Sequence, residues 1–130
     1  MIGLDTNVLV RYIMQDDAKQ AALASRLVES LADSTGFIPF IVIAELSWVL
    51  TSAYSLSRQQ LAEALEGVLR SKEWVVEKAD IVWQAVRLFQ SGSADFADCL
   101  IFRSAAAVGC EKTMTFDKDA AKSGGMTLLT

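Results

Sequence analysis

Met1-Ile2-Gly3-Leu4-Asp5-Thr6-Asn7-Val8-Leu9-Val10 opens the chain, and the remaining elements are interpreted relative to it. Its apolar start predicts a buried strand, and the polar corner at Asp5 predicts that a helix follows. Asp5 then stands at the carboxyl end of the strand, where ligands bind in open α/β sheets. Asp and Thr also cap helices, because their side-chain oxygens accept hydrogen bonds from unpaired amides. From this stretch alone, Asp5 is either a ligand-binding carboxylate or a cap.

The composition indicates a small globular domain with more apolar residues than its own core needs. The 130 residues fit one domain, and 52% of them are hydrophobic. No stretch approaches the ~20 continuous apolar residues of a membrane span, and no basic segment precedes Ile2, so we expect neither a membrane anchor nor a signal peptide but a cytoplasmic protein. The apolar excess predicts contact with a protein partner.

The chain has no histidine, a net charge of −4 and a pI of about 4.7. The absence of histidine excludes serine–histidine hydrolases and ordinary zinc sites. A metal would therefore be held by carboxylates and water, which favours Mg²⁺ or Mn²⁺. The acidic pI argues against a broadly basic nucleic-acid surface. The two cysteines, Cys99 and Cys110, are predicted to be buried free thiols.

Strand and helix patterns alternate along the chain, which predicts an α/β fold. Because such connections make parallel sheets, we expect one domain, residues 1–130, with a central, mostly parallel sheet of about five strands flanked by helices. The predicted strands are 1–4, 37–38, 74–76, 112–116 and 126–129, the last at a sheet edge. The predicted helices are 8–14, 18–31, 40–54, 57–70, 79–89 and 95–108, with a short helix after 117–119.

Further acidic residues fall where this fold would bring them near Asp5. Glu45 lies in a helix so apolar that the helix is predicted to be buried, and a carboxylate there must face solvent, pair with a cation or bind a metal. Asp95 and Asp98 are three residues apart at a helix start, so they share one face. Asp117, like Asp5, follows a strand. Capping alone would explain Asp95 fully and Asp98 partly.

Four or five acids in one crevice repel one another unless a cation is present. One or two Mg²⁺ or Mn²⁺ ions would make the arrangement favourable. Water bound to such ions becomes a nucleophile near neutral pH, and the ions stabilise the oxygens of phosphoryl transfer. The acids therefore predict phosphodiester hydrolysis without histidine.

The acidic motifs resemble those of PIN-domain ribonucleases, in particular the VapC toxins of bacterial type II toxin–antitoxin modules. The resemblance extends over essentially the whole chain, and the order and spacing of the acids agree. Cys99 stands where the family often has Ala. The motifs are Leu4-Asp5-Thr6-Asn7-Val8-Leu9, Ala44-Glu45-Leu46, Asp95-Phe96-Ala97-Asp98-Cys99-Leu100-Ile101 and Thr115-Phe116-Asp117.

The resemblance implies roles for these residues. Asp95 would be an auxiliary acid or only a helix cap. Thr6 and Asn7 would orient Asp5 and a metal-bound water, and Thr115 would contact an acid or a phosphate. The quartet that holds Mg²⁺ or Mn²⁺ would be Asp5, Glu45, Asp98 and Asp117.

The resemblance also implies partners: an RNA substrate, often a tRNA or ribosomal RNA, a second copy of the chain, and a cognate antitoxin. Because the pI is low, RNA binding would depend on a few cations near the site, Arg11 and Lys118 first, then Lys112 and Arg103. For Arg11, a solvated helix face explains the residue equally well. For Asp16, Asp17 and Asp119, caps and solvated turns are the preferred interpretation.

Two other functions are compatible with parts of this pattern. A catalytically inactive binding module of the same fold, acting through a protein partner, would be favoured by loss of one of the four acids, and none is missing. A haloacid-dehalogenase phosphatase also begins with a strand and an Asp. It requires a second Asp two positions later, where this chain has Asn7, and the chain is short for that fold.

Overall fold

The computed structural model describes residues 1–130 as alternating strands and helices in the predicted order. The strands are β1 (Ile2–Gly3), β2 (Gly36–Ile38), β3 (Trp74–Val76), β4 (Met114–Thr115) and β5 (Thr127–Leu128). The helices are α1 (Thr6–Met14), α2 (Ala18–Ser30), α3 (Phe40–Ser52), α4 (Arg58–Arg70), α5 (Ala79–Ser91), α6 (Phe96–Ala107) and α7 (Lys118–Ser123).

All strand pairs are parallel, as predicted, but the five strands form two sheets. One sheet has the order β1-β2-β3, and β4 pairs with β5 in the other. Gly36 allows β2 to approach β3 closely, because a Cβ there would lie 3.0 Å from the Trp74 Cβ and 3.2 Å from the Glu73 carbonyl oxygen. The carboxyl end of β1 leads through buried Leu4 to Asp5.

The main core joins the three-stranded sheet to the helices. Its fully buried side chains include Leu9 of α1, Ile43 and Leu46 of α3, and Val82 and Val86 of α5. Helices α5 and α6 pack together, with the rings of Phe89 and Phe96 edge to face at a centroid distance of 5.8 Å. This packing brings the start of α6 to a fixed place beside α3.

Helix starts are defined by polar caps. The predicted capping box is present: the Ser57 hydroxyl accepts from the Gln60 amide, and the Gln60 side chain accepts from the Ser57 amide. Asp17 caps α2 as predicted, accepting from the Gln20 amide. Helix α3 follows Pro39, which offers no side-chain cap, and Glu77 serves instead by accepting from the Phe40 amide at 2.7 Å.

Three predictions about burial were wrong. Strand β1 is exposed, with Ile2 at 49%, because it forms the edge of its sheet. Helix α3 buries only one side, and Ile41 and Trp48 are 76% and 69% exposed, because they lie opposite the core-facing row. Cys99 is a buried free thiol as predicted, whereas Cys110 is exposed because α6 ends before it.

None of the seven helices combines the length and the apolar character that a membrane span requires.

Gly36→Ala should destabilise the fold by about 1–3 kcal/mol, because the added methyl group forces β2 and β3 apart. Gly67→Ala is the matched control. Gly67 lies within α4, and a Cβ added there would have no atom within 4 Å, so this change should stabilise the fold by about 1 kcal/mol. Urea denaturation measures both changes. Equal effects of the two substitutions would contradict the close approach of β2 and β3.

Candidate active site

Asp5 and Glu45 form the first acidic set, joined through Thr6. The Asp5 carboxylate caps α1, with Oδ1 accepting from the Thr6 amide at 2.7 Å. The buried Thr6 hydroxyl donates to Glu45 Oε1, which ties α1 to α3. Asp5, Asn7 and Glu45 line one open cavity of about 480 Å³, together with Arg11. The sequence left three possibilities for Glu45: facing solvent, pairing with a cation or binding a metal. In the structure its side chain is exposed to solvent and also accepts a hydrogen bond from a hydroxyl group.

Asp95, Asp98 and Asp117 form the second set, at two helix starts. Asp95 caps α6, with Oδ1 accepting from the Asp98 amide at 2.8 Å. Asp117 caps α7, with Oδ1 accepting from the Asp119 and Ala120 amides at 2.8 and 3.2 Å. The Thr115 hydroxyl accepts from the Asp117 amide, so it contacts this acid through the backbone.

Burial and the neighbouring acids of the second set both raise the pKa of Asp98. Burial, followed by the charges of Asp95 and Asp117, raises the pKa of Asp98 from 3.8 to about 6. A nearby like charge disfavours ionisation, and a cation at this position would remove that penalty. Asp98 is therefore electrostatically suited to be a cation ligand.

The donor set fits a hard divalent ion. Every candidate donor is an oxygen, as Mg²⁺ and Mn²⁺ prefer. Cys99 adds no thiolate beside Asp98, because burial raises its pKa to about 11. No three of the Asp, Glu and Cys side chains lie close enough together to form a closed site for one metal ion. None of the five acids forms an ion pair within the chain, whose two salt bridges are Arg11–Asp16 and Arg70–Glu66.

Ser123, at the end of α7, fastens the loop that leads to Asp95. Its hydroxyl oxygen accepts from the amides of Ser93 and Ala94 at 2.8 and 3.0 Å. A Cβ on Gly92 would lie 2.7 Å from the Ser123 Cβ, so only glycine permits this contact. The helix that begins at Asp117 is thereby tied to the loop that precedes Asp95. Sequence analysis missed Ser123, because no local pattern pairs it with a loop thirty residues earlier.

Arg58 holds the other side of the same loop. Its Nη2 donates to the carbonyl oxygens of Phe89 and Gly92 at 2.7 and 3.0 Å, and its guanidinium carbon lies 3.9 Å from the centre of the Phe89 ring. Arg58 therefore gives an additional donor to the Phe89 carbonyl, which also accepts from the Gly92 amide, and a donor to the Gly92 carbonyl, at the helix end where backbone acceptors exceed donors.

The predicted RNA-contacting cations have different environments. Lys118 and Lys112 are exposed, and Lys118 directly follows Asp117. Arg103 is half-buried on α6, and its Nε is buried without a hydrogen bond. Arg11 lines the cavity of Asp5 and Glu45.

Asp16 lies in an exposed turn between α1 and α2, in agreement with the preferred interpretation of a solvated turn. Its carboxylate accepts from Arg11 and from the Tyr54 hydroxyl, because the turn between α1 and α2 directs it toward α3. Neither Tyr54 nor Gln20, which also contacts Arg11, was singled out from sequence. Asp119 is exposed in the first turn of α7.

The chain matches a known family over nearly its whole length. The model of the PIN domain family matches residues 2–125. The chain belongs to the PIN domain family. It is also similar to a VapC ribonuclease of Aquifex aeolicus (strain VF5), with 27% identity over 126 residues. That alignment covers 96% of this chain and 93% of the relative. The predicted family resemblance and the α/β fold class are confirmed.

Ser123→Ala should lower the free energy of unfolding by about 1–3 kcal/mol, because two backbone amides lose their acceptor and Ala94 is buried. Ser91→Ala is the control, since Ser91 is exposed nearby and donates only to the Leu88 carbonyl; it should change stability by less than about 0.5 kcal/mol. Chemical denaturation compares them. Equal stability of the two variants would show that Ser123 does not clamp the loop.

Ionisation of Asp98 should destabilise the metal-free fold as pH rises. Between 3.8 and about 6 the folded protein keeps a proton that the unfolded chain releases, so the free energy of unfolding falls across this window. Asp98→Asn should therefore raise the free energy of unfolding only slightly near pH 4. Near pH 7 the substitution should raise the free energy of unfolding by about 1 kcal/mol, a value that is small because Asp98 is partly exposed to solvent.

Urea denaturation in chelator at both pH values measures this gain. Asp33→Asn, in an exposed turn, controls for the general loss of one charge and should show no such gain. A gain from Asp98→Asn that did not change with pH would contradict the raised pKa.

Proposed function

We propose that this protein is a divalent-metal-dependent endoribonuclease and the toxin of a type II toxin–antitoxin pair. The observation that supports the proposal is the presence of five carboxylates in two sets, none paired with a basic side chain, at the starts of α1, α6 and α7 and on α3. Such a set is unfavourable alone and favourable with a divalent cation. The similarity over nearly the whole chain to a protein named VapC ribonuclease supports the choice of RNA as substrate.

In this proposal the quartet predicted from sequence holds Mg²⁺ or Mn²⁺. Its members are Asp5, Glu45, Asp98 and Asp117. Asp95 caps α6 through Oδ1, and its second carboxylate oxygen would contribute to the proposed metal site. The bound ion would supply an activated water and neutralise charge on the phosphate.

The neighbouring polar residues keep these carboxylates in place. Thr6 fixes Glu45 through its hydroxyl and holds Asp5 through its amide. Asn7, exposed on the same cavity, would orient water or substrate. Thr115 holds the Asp117 backbone at the turn into α7. Lys118 would contact an RNA phosphate beside Asp117.

The proposal includes two protein partners, a second copy of the chain and an antitoxin. Large apolar side chains are exposed on this chain, and exposed apolar patches often mark sites where a protein partner binds. Ile41 and Trp48 lie on the exposed side of α3, on either side of Glu45 in sequence, and Phe116, which precedes Asp117, is 80% exposed. Covering these residues would remove apolar area from water beside the acids. A homodimer would also pool the few cations of an acidic chain around the RNA.

Cleavage of total cellular RNA by purified protein freed of any antitoxin tests the proposal. Discrete fragments should appear with Mg²⁺ or Mn²⁺ and disappear with chelator. Asp5→Asn and Asp98→Asn should each reduce cleavage by at least about 100-fold while leaving the fold intact, because each removes a charged metal ligand. The variants also exclude contaminating nuclease.

Asp80→Asn is the matched control for this experiment. Asp80 lies in the first turn of α5 and has no part in the two acidic sets, so full activity is expected. Wild-type cleavage that is insensitive to chelator, or unchanged by both site substitutions, would refute the proposal. Metal binding without cleavage of any RNA would favour the binding-module alternative.

A further inference from the structure

Two of the three guanidinium nitrogens of Arg11 donate hydrogen bonds within the chain, and the third does not. Its Nε donates to Gln20 Oε1 at 2.7 Å. Its Nη1 donates to both carboxylate oxygens of Asp16 at 3.1 Å and to the Tyr54 hydroxyl at 3.0 Å. Nη2 has no hydrogen-bond partner in the chain. The side chain is therefore oriented by four hydrogen bonds and keeps one donor group for an outside acceptor.

The residues that hold Arg11 are fixed themselves. The Tyr54 hydroxyl donates to Asp16 Oδ2 at 2.7 Å, and this bond is the main cause that lowers the pKa of Asp16. Asp16 thus stays charged opposite the guanidinium. The contacts come from three places, the turn after α1, the first turn of α2 and the segment that follows α3. By comparison, the other salt bridge, Arg70–Glu66, is a single contact of 3.5 Å within one helix.

Arg11 and Tyr54 belong to the same cavity as the first acidic set. The cavity of about 480 Å³ lined by Asp5 and Glu45 is also lined by both of these residues. A fixed cationic group thus lies on the wall of a cavity whose other charged groups are carboxylates. An anion bound to the proposed metal would have this guanidinium as its neighbouring positive group.

We propose that Arg11 is a phosphate-binding subsite of the RNA site, contacting a phosphate next to the one that is cleaved. Asp16, Gln20 and Tyr54 are positioning residues that orient the guanidinium before RNA binds. The inference rests on the proposed function. Guanidinium donors match phosphate oxygens in geometry, and a planar group that is already oriented loses less freedom on binding. Because the chain has a net charge of −4, each basic side chain held at the RNA site contributes a large part of the neutralisation of phosphate charge.

Salt dependence separates phosphate binding from a purely structural role. The probe is a short single-stranded RNA of mixed sequence with a fluorescent label, titrated with Mg²⁺ present between about 50 and 200 mM salt. Asp98→Asn serves as the background so that the RNA stays intact. Arg11→Gln in this background should weaken binding at low salt and reduce the slope of log K against log salt by about 0.7, the value for one phosphate contact on a single strand.

Further variants in the same background define the positioning role. Tyr54→Phe keeps the charge of Arg11 but removes one of its acceptors and the main hydrogen bond to Asp16. It should weaken RNA binding several-fold with the slope unchanged, and Arg11→Lys should do the same. Arg70→Gln, which also breaks a salt bridge but lies outside the cavity, should leave both affinity and slope unchanged.

The outcomes distinguish this inference from the proposed function. If the wild type cleaves RNA but Arg11→Gln and Arg70→Gln show equal slopes of log K against log salt, the phosphate subsite is refuted. The contacts of Arg11 would then only fasten the turn after α1, or Arg11 would bind a carboxylate of a protein partner. Absence of any RNA binding at low salt also refutes it. Loss of the proposed function appears separately, as absence of metal-dependent cleavage by the wild type. Urea denaturation checks that Arg11→Gln is folded, and Arg11→Lys repeats the test with the charge retained.

Discussion

The hydrogen bond from a helix-start amide to an aspartate oxygen is the interaction on which the candidate site depends. Asp5, Asp95 and Asp117 each cap a helix, and each accepts these bonds through Oδ1. The amides and the helix dipole stabilise negative charge where it would otherwise be repelled. Capping and cation binding are therefore compatible roles for one carboxylate, because the first uses one oxygen and leaves the second available.

The caps do not remove the whole cost of gathering the acids. Asp98 lies in the first turn of α6 beside two capping carboxylates, and its burial, followed by the charges of these two carboxylates, raises its pKa. Glu45 is stabilised differently, by the Thr6 hydroxyl reaching across from α1. The chain thus keeps its acids in place through neutral donors and leaves their charge uncompensated. A divalent cation is the partner that such an arrangement favours.

The sequence predicted the features of the site that depend on neighbouring residues, and it did not predict those that depend on contacts between distant segments. The spacing of Asp95 and Asp98 correctly placed both at a helix start, because capping preferences act over a few residues. The exposure of Trp48 was missed, because a helix with apolar residues all round gives no periodic signal for its outer face. The contacts of Ser123 and Tyr54 join distant segments, so only the folded chain reveals them.

Direct titration with Mn²⁺ tests the central claim, that the uncompensated carboxylates form a divalent-cation site. Calorimetry or electron paramagnetic resonance would follow binding to the wild type, Asp98→Asn and the control Asp80→Asn at neutral pH. The account predicts saturable binding by the wild type and the control, and at least a tenfold loss of affinity, about 1.4 kcal/mol, in Asp98→Asn. Equal affinity in all three proteins, or no saturable binding by the wild type, would contradict it.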